Sequence, residues 1–524
     1  MKSPQNNTLR KARVYISIGF FLSFIILFID PRHIIPPGVR VVFTSLQVVP
    51  SLLKVLTAFG ISTIGLFCIL GLTILFGRVY CSTFCPLGTF QDIIIHLEKK
   101  IHRKKRFKYE KPPFVFHYLL LLLTIVLTVA GSMMILNLFE PFSNFGKIFT
   151  NLVLPPTIVV NNLVGGILGR YGNFTLFNIP LPEISVAATI FALIFLGLVG
   201  YMSINHGRMF CNSLCPAGAL LGLISRFSIM KIVIDEHSCN ECGACERVCK
   251  ASCIKADEKR IDYAACVNCY NCITSCPTNG VVFQSISSHS SSGTPTKIGS
   301  ERRRIVKETI PALGFIGLPA VTSLDTSFIG KTVFNESRKR PISPPGSRGV
   351  QSFSNLCTAC HLCVGACPSH VLYPSFLDYG IAGIFQPKMS YTTGYCSYEC
   401  TVCTQICPTG AIKPLTREAK KLVQIGRSYF NREDCIVVTK KQDCGACSEH
   451  CPTKAVHMVK FEGKLSIPEL NNDVCIGCGA CEHACPTVPR KAIYVVANCV
   501  HALAQKPIEK KIEKGFESSQ DFPF

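Results

Sequence analysis

Between Cys357 and Cys485 four cysteine quartets follow one another with little but short polar connections between them, and no other stretch restricts the possible folds so tightly. The first reads Cys357-x2-Cys360-x2-Cys363-x3-Cys367-Pro368 and the second Cys396-x3-Cys400-x2-Cys403-x3-Cys407-Pro408. The third is Cys435-x8-Cys444-x2-Cys447-x3-Cys451-Pro452 and the fourth Cys475-x2-Cys478-x2-Cys481-x3-Cys485-Pro486. A loop with a cysteine at every third residue wraps a compact inorganic cluster. In the bacterial ferredoxin run, three closely spaced thiolates hold one cluster face and the cysteine before proline reaches across to the neighbouring cluster. Gly445, Gly477 and Gly479 let the backbone approach the sulfurs and turn its N–H groups toward them. Zinc favours two well-separated cysteine pairs, and a disulfide framework sits badly with 31 cysteines, an odd number. Cys357-Thr358-Ala359-Cys360-His361 also fits the c-type haem attachment string, but both of its cysteines already belong to a quartet. The stretch therefore predicts four 4Fe-4S clusters. The wide Cys435-x8-Cys444 spacing leaves open whether quartets pair as neighbours or as outer with outer and inner with inner.

A second cysteine region lies upstream. Cys239-x2-Cys242-x2-Cys245-x3-Cys249 is followed by Cys266-x2-Cys269-x2-Cys272-x3-Cys276-Pro277, which resembles a complete two-cluster ferredoxin. Ile254 and Val281 to Phe283 are expected to form its short strands. By cross-ligation Cys276 completes the first cluster and Cys249 the second. Lys250 stands where the usual proline would be, and Cys253 and Cys499 fall outside the pattern.

The rest of the composition calls for a membrane. Over 524 residues the chain is 48% hydrophobic with a mean hydropathy of +0.34. Uncharged runs at Val14–Ile29, at 55–77, from about His117 to Glu140, and between Glu183 and Arg208 predict four transmembrane helices. Residues 78–111 carry nine Lys and Arg, including Lys104, Lys105 and Arg106, against three acids, whereas 137–184 carry only Lys147 and Arg170. The positive-inside rule then places the N-terminus and the first of these loops in the cytoplasm. The run Ile148–Gly169 is long enough to span, but Pro155-Pro156 and Asn161-Asn162 argue for an interfacial or re-entrant segment. An excess of 54 Lys+Arg over 32 Asp+Glu is often a nucleic-acid signature; here part of it flanks apolar helices, and no nucleic-acid partner is expected.

An internal repeat follows the second and fourth runs. Gly77-Arg78-Val79-Tyr80-Cys81-Ser82-Thr83-Phe84-Cys85-Pro86-Leu87-Gly88 is echoed by Gly207-Arg208-Met209-Phe210-Cys211-Asn212-Ser213-Leu214-Cys215-Pro216-Ala217-Gly218. The repeat implies a duplicated two-helix unit that brings Cys81, Cys85, Cys211 and Cys215 to one membrane face. These thiols are either buried packing groups, an exchanging redox pair, or the ligands of one further metal centre. His117 and His206 near helix ends would have to face each other to hold a haem. Residues 285–300 read as a flexible Ser-rich linker, and Glu301-Arg302-Arg303-Arg304 before the uncharged run Thr309–Leu324 looks like a twin-arginine signal or a basic linker with a docked apolar segment.

Taken together these motifs resemble known families. Residues 1 to about 284 are similar to the NapH family of membrane quinol dehydrogenase subunits, and residues from about 301 onward resemble the NapG family of periplasmic ferredoxins, with Pro344-Pro345-Gly346-Ser347 shortly before the first quartet. The expected fold is an α-helical membrane domain of four transmembrane helices plus α+β ferredoxin-like domains, one two-cluster and one four-cluster. The expected divisions are 1–230 (membrane), 231–284 (two clusters), 285–350 (linker), 351–500 (four clusters) and 501–524 (charged tail). The resemblance implies an electron-transfer subunit of a quinol dehydrogenase-type oxidoreductase in the bacterial inner membrane. Residues 239–276 would be cytoplasmic and 357–485 periplasmic, with the quinone pool and a periplasmic reductase or cytochrome as partners. A resemblance to NosR and CcoG implies an alternative, an electron-donating maturation factor for a metalloenzyme.

Overall fold

A computed structural model describes residues 4–30, 32, 34–57, 61–101, 107–285 and 340–506. The basic run Lys104-Lys105-Arg106, nearly all of the Ser-rich linker, the twin-arginine-like segment and most of the charged tail lie outside the described residues.

The apolar runs fold as helices. Helix α1 spans Pro4–Phe28, and its Thr8–Phe28 part is long and apolar enough to cross a membrane. Helices α2 (Pro37–Ser45) and α3 (Val48–Thr57) meet at a 100° bend around Gln47. Then come α4 (Ile61–Phe76), the short α5 (Tyr80–Thr83), α6 (Pro86–Ile101), α7 (Phe114–Val129), α8 (Met134–Phe139) and α9 (Pro141–Ile148). Glu140 caps α9, its carboxylate accepting from the Ser143 N–H, with Pro141 preset for the first turn. After a π-helical turn at Phe149–Val153 the chain continues as α10 (Leu154–Arg170), then α11 (Val186–His206), α12 (Met209–Ser213) and α13 (Pro216–Ser225).

One expectation changes here. Pro141–Arg170 is a continuous 30-residue helical stretch, apolar enough by length and composition to cross a membrane, where Pro155-Pro156 and Asn161-Asn162 argued for an interfacial or re-entrant segment. The prolines follow just after the π turn at Phe149–Val153, whose shifted hydrogen-bond register carries the helix past their two missing N–H groups. Among the described residues three helices pass that test, or four if the bent α2–α3 pair counts as one span, while Thr63–Phe76 and Phe114–Val129 are shorter apolar helices.

The interior of this helical domain is aromatic. Phe24, Phe28, Phe142, Phe145 and Phe210 are all fully buried. Phe28 and Phe142 sit 5.4 Å apart between ring centres, and Phe145 and Phe149 4.3 Å apart.

Small antiparallel hairpins frame the cysteine loops. In the first module β1 (Met230–Ile234) pairs with β4 (Val281–Ser285), and β2 (Ile254–Lys255) with β3 (Arg260–Ile261). In the second, β5 (Leu372–Pro374) pairs with β6 (Pro387–Met389) and β8 (Val456–Lys460) with β9 (Ser466–Leu470). Its longest ladder joins β7 (Val423–Phe430) to β10 (Ile493–Leu503) through an irregularity between Ala497 and Ala502.

Helix α1 contacts both modules. Near its start Arg10 donates to Thr274 Oγ1 of the first module at 3.4 Å. At its end the Phe28 carbonyl lies against Gly365 of the second, leaving 2.9 Å for a Cβ there. Helix α11 repeats the arrangement: Phe191 stacks on Phe385 of the second module at 4.6 Å, and just past its C-terminus the Arg208 N–H donates to Lys250 O of the first at 2.8 Å.

Candidate iron-sulfur sites

The cysteines group as members of one quartet with the last cysteine of its neighbour. Of the thiols acting on Cys245, the nearest in effect are Cys239 and Cys276. Cys272 feels Cys269, Cys266 and Cys249. In the second module Cys363 is flanked by Cys360, Cys357 and Cys407, and Cys403 by Cys396, Cys367 and Cys400. Two cavities complete the series. One of about 340 Å³ is lined by Cys435, Cys444, Cys447 and Cys485. The other, about 300 Å³, is lined by Cys451, Cys475, Cys478 and Cys481. In the two cavities three cysteines of one quartet stand with the last of the other, third with fourth, and the pairs Cys363–Cys407 and Cys403–Cys367 run the same way between first and second.

The donor sets suit a cubane. Among the described residues no three His, Cys, Asp or Glu side chains stand close enough to hold a single metal ion, whereas a polynuclear cluster gives each sulfur its own iron. Burial pushes the thiols up, Cys478 and Cys447 to about 12 and Cys245 and Cys396 to about 11, so binding a metal at them must displace protons.

A hydroxyl marks the exchanged cysteines. Each Cys-Pro that closes a quartet is followed by Ser or Thr, and the pairs Cys276–Thr278, Cys367–Ser369, Cys407–Thr409, Cys451–Thr453 and Cys485–Thr487 lie 3.5, 3.6, 3.6, 3.7 and 3.1 Å apart. Such contacts help set a cluster's potential. Cys249 has Lys250-Ala251 after it and lacks this group. In its place Cys253, 1% exposed, lies 3.5 Å from the Cys249 sulfur, and that hydrogen bond holds the Cys249 thiol down at about 7. Sequence reasoning gave Cys253 no role; the missing Ser or Thr after Cys249 was the available signal.

The repeated motifs also converge. Cys85 feels Cys81 and Cys211, and Cys215 feels Cys211, Cys81 and Cys85, all four being buried. Each arginine serves the opposite repeat: Arg78 donates to Cys211 O at 3.0 Å and to Asn212 Oδ1 at 2.8 Å, and Arg208 donates to Cys81 O. Gly88 and Gly218 make this possible, because a Cβ on either would stand 2.2 Å from the Cys81 or Cys211 carbonyl. Arg78 further donates to Ala264 O at 2.7 Å and Asn212 to Ala265 O at 3.3 Å, next to Cys266. Arg208, Arg13 and Lys250 all pair with Asp92, whose buried carboxyl would be pushed up by burial but is held well below the usual range by those three cations.

The two candidate haem imidazoles do not face each other. His117 Nε2 lies 2.9 Å from Cys215 O, and His206 Nδ1 lies 3.1 Å from Glu110.

Fold and sites define an iron-sulfur electron-transfer protein carrying apolar helices for a membrane. A family described as a 4Fe-4S binding domain matches residues 58–106 and 187–234, the two repeats, and one described as a 4Fe-4S dicluster domain matches residues 440–488. An uncharacterised protein of Methanocaldococcus jannaschii is 28% identical over 278 residues, covering 53% of this chain and 84% of its own length. The methylamine utilization ferredoxin-type protein MauM of Methylophilus methylotrophus is 31% identical over 188 residues, 34% of this chain and 79% of its own. The ferredoxin-type protein NapH of Haemophilus influenzae is 24% identical over 244 residues, 45% and 70% of the two chains. No solved structure matches. The chain belongs to the ferredoxin-type electron-transport family and fits a NapH-like member of it.

Proposed function

We propose that this protein is a transmembrane electron conduit, taking electrons from quinol or a cytoplasmic donor and delivering them to a periplasmic reductase or cytochrome. The observation that carries this reading is that α1 and α11 each touch the two-cluster module at one end and the four-cluster module at the other. The 21 residues of Thr8–Phe28 extend about 30 Å, the thickness of a hydrocarbon core. Helix α4 ends at the first module, where Phe76 O accepts from Asn268, and α7 ends at the second, where a Cβ on Gly131 would stand 3.3 Å from the Asn355 side chain. The reading keeps the four expected transmembrane helices, α1, α4, α7 and α11, in a membrane domain of residues 1–230; because the start of α1 and the end of α11 meet the same module, the number of spans is even, and Pro141–Arg170, although long and apolar enough, is not counted as a fifth. Residues 231–284 form the cytoplasmic two-cluster domain and 351–500 the periplasmic four-cluster domain, in a bacterial inner membrane.

The proposed ligand sets are Cys239, Cys242, Cys245 with Cys276, and Cys266, Cys269, Cys272 with Cys249. In the second module they are Cys357, Cys360, Cys363 with Cys407; Cys396, Cys400, Cys403 with Cys367; Cys435, Cys444, Cys447 with Cys485; and Cys475, Cys478, Cys481 with Cys451. Each bound 4Fe-4S cluster would accept and release one electron. The chain's part is to hold the thiolates, to exclude water by burial, and to direct N–H and O–H groups at sulfur, as Ala455 N does to Cys451 at 3.2 Å. Cys81, Cys85, Cys211 and Cys215 form a further redox centre between the modules. Its place is supported by Arg78 and Asn212 reaching the backbone beside Cys266 on one side, and by Tyr80, next to Cys81, donating to Gln47 at the α2–α3 bend at 2.8 Å on the other.

A topology reporter fused after about residue 350 tests the arrangement: activity in the periplasm is expected, and a cytoplasmic signal overturns it. In liposomes a reduced quinone analogue should bleach the clusters rapidly; absence of bleaching would favour the maturation-factor role.

A further inference from the structure

Lys147 is 1% exposed, deep in the apolar helical domain, and its surroundings are nearly all neutral. Its ammonium donates to Asn137 O and faces Asn144 Oδ1 at 3.5 Å. It lies over the rings of Phe191 and Phe385 at 5.0 and 5.5 Å. Glu140, one helix end away, spends its carboxylate on the Ser143 N–H and acts on Lys147 only through space. A buried cation without a contacting anion is costly, and in a membrane such a residue marks a function.

The missing anion is supplied by the second module. Besides Glu140, the groups that act on Lys147 through space, as thiolates, are the Cys360 and Cys357 sulfurs. The backbone is pressed there: a Cβ on the preceding Gly146 would stand 2.1 Å from Cys360 O. Four residues further along, Asn151 meets His361, the neighbour of Cys360, at 3.1 Å. Asn137 also donates to Ile384 O of the second module at 3.1 Å. The membrane domain thus presents one dehydrated positive charge to one sulfur set out of the four in that module.

We infer that Lys147 is the counter-cation of the cluster held by Cys357, Cys360, Cys363 and Cys407, and that it raises that cluster's reduction potential above what the module alone would give. Reduction adds one electron, hence one negative charge, to an already anionic thiolate cluster in a dry site, and net charge is among the terms that fix its potential. A fixed cation a few residues from the ligands lowers that cost with little screening. The set beside Lys147 becomes the electron-accepting end of the module. Lys147 is a positioning residue in this sense, acting on the cluster through space. The inference rests on the proposed ligand sets.

The test is a redox titration followed by electron paramagnetic resonance on the full chain, purified anaerobically in lipid nanodiscs. In Lys147→Gln, which keeps a donor for Asn137 O but no charge, one cluster signal is expected to move to more negative potential. It should be the signal altered by Cys407→Ser, and Lys147→Arg should leave it in place. Asn144→Asp, which sets a carboxylate against the ammonium, should move the same signal the same way and decides the matter if Lys147→Gln does not assemble. Unmoved signals at full iron content overturn the inference about Lys147. Iron far below six cubanes in the unaltered chain overturns the ligand reading beneath it instead.

Discussion

The two repeats of the membrane domain share a frame and differ at its rim. Shifted by 130 residues, Arg78 matches Arg208, Cys81 and Cys85 match Cys211 and Cys215, and Gly88 matches Gly218. In space each arginine crosses to the other repeat's carbonyl, so neither half is complete alone. Past the matched glycines the likeness ends, and four residues on the two copies do opposite things. Asp92 gathers Arg13, Arg208 and Lys250, while its counterpart Gly222 has only a hydrogen, and a Cβ there would stand 2.8 Å from Ala264 O of the two-cluster module. One copy docks the module by charge and the other by backbone approach. Duplication preserved the four-thiol centre, and divergence around it built the seat for a ferredoxin.

The comparison can be broken at several points. The largest effect is expected from Gly88→Val and Gly218→Val, each forcing a side chain into a carbonyl; a loss on the order of 4 kcal/mol or more should follow in both, read as thermal stability and as new maleimide labelling of Cys81, Cys85, Cys211 and Cys215. If only one of the two variants labels, the repeats are not equivalent. Asp92→Asn leaves three buried cations short of an anion and should cost about 3–5 kcal/mol. Gly222→Ala, a crowding change only, should cost about 1–3 kcal/mol.

The pH dependence sharpens the same contrast. Asp92 has its carboxyl held below the ordinary 3.8, so the stability it supplies is present above that value and is lost only as pH falls through the lower folded one. Seating of the two-cluster module should therefore survive at pH near 4, as followed by limited proteolysis, and release already near pH 5 would contradict the pairing. A smaller effect attends Cys253→Ala. Removing one hydrogen bond to Cys249 should cost about 1 kcal/mol and shift a single cluster potential, while Cys253→Ser should largely restore it.

Much of this was legible in the residues. Cysteine spacing needs no tertiary context, because ligands three residues apart must share a loop, and the repeated Gly-Arg-x-x-Cys motif announced its own duplication. Pairing between quartets was not legible, since it depends on which loops the β7–β10 and β8–β9 ladders bring together. The continuity of Pro141–Arg170 was hidden because Pro155-Pro156 break a helix in general, whereas here a π turn just precedes them and the helix runs on. Lys147 passed as an ordinary loop cation; a lone charge beside a long apolar run was the signal that it was not.

Because α1 is fastened at both ends, it serves as a ruler. One inserted residue would lengthen it by about 1.5 Å and swing one fastening through about 100°, so the two ends could no longer engage together. Such a molecule cannot tilt freely to suit its surroundings, as an unfastened span can. It brings its own gauge of bilayer thickness, and membranes much thicker or thinner than that gauge must bend to meet it.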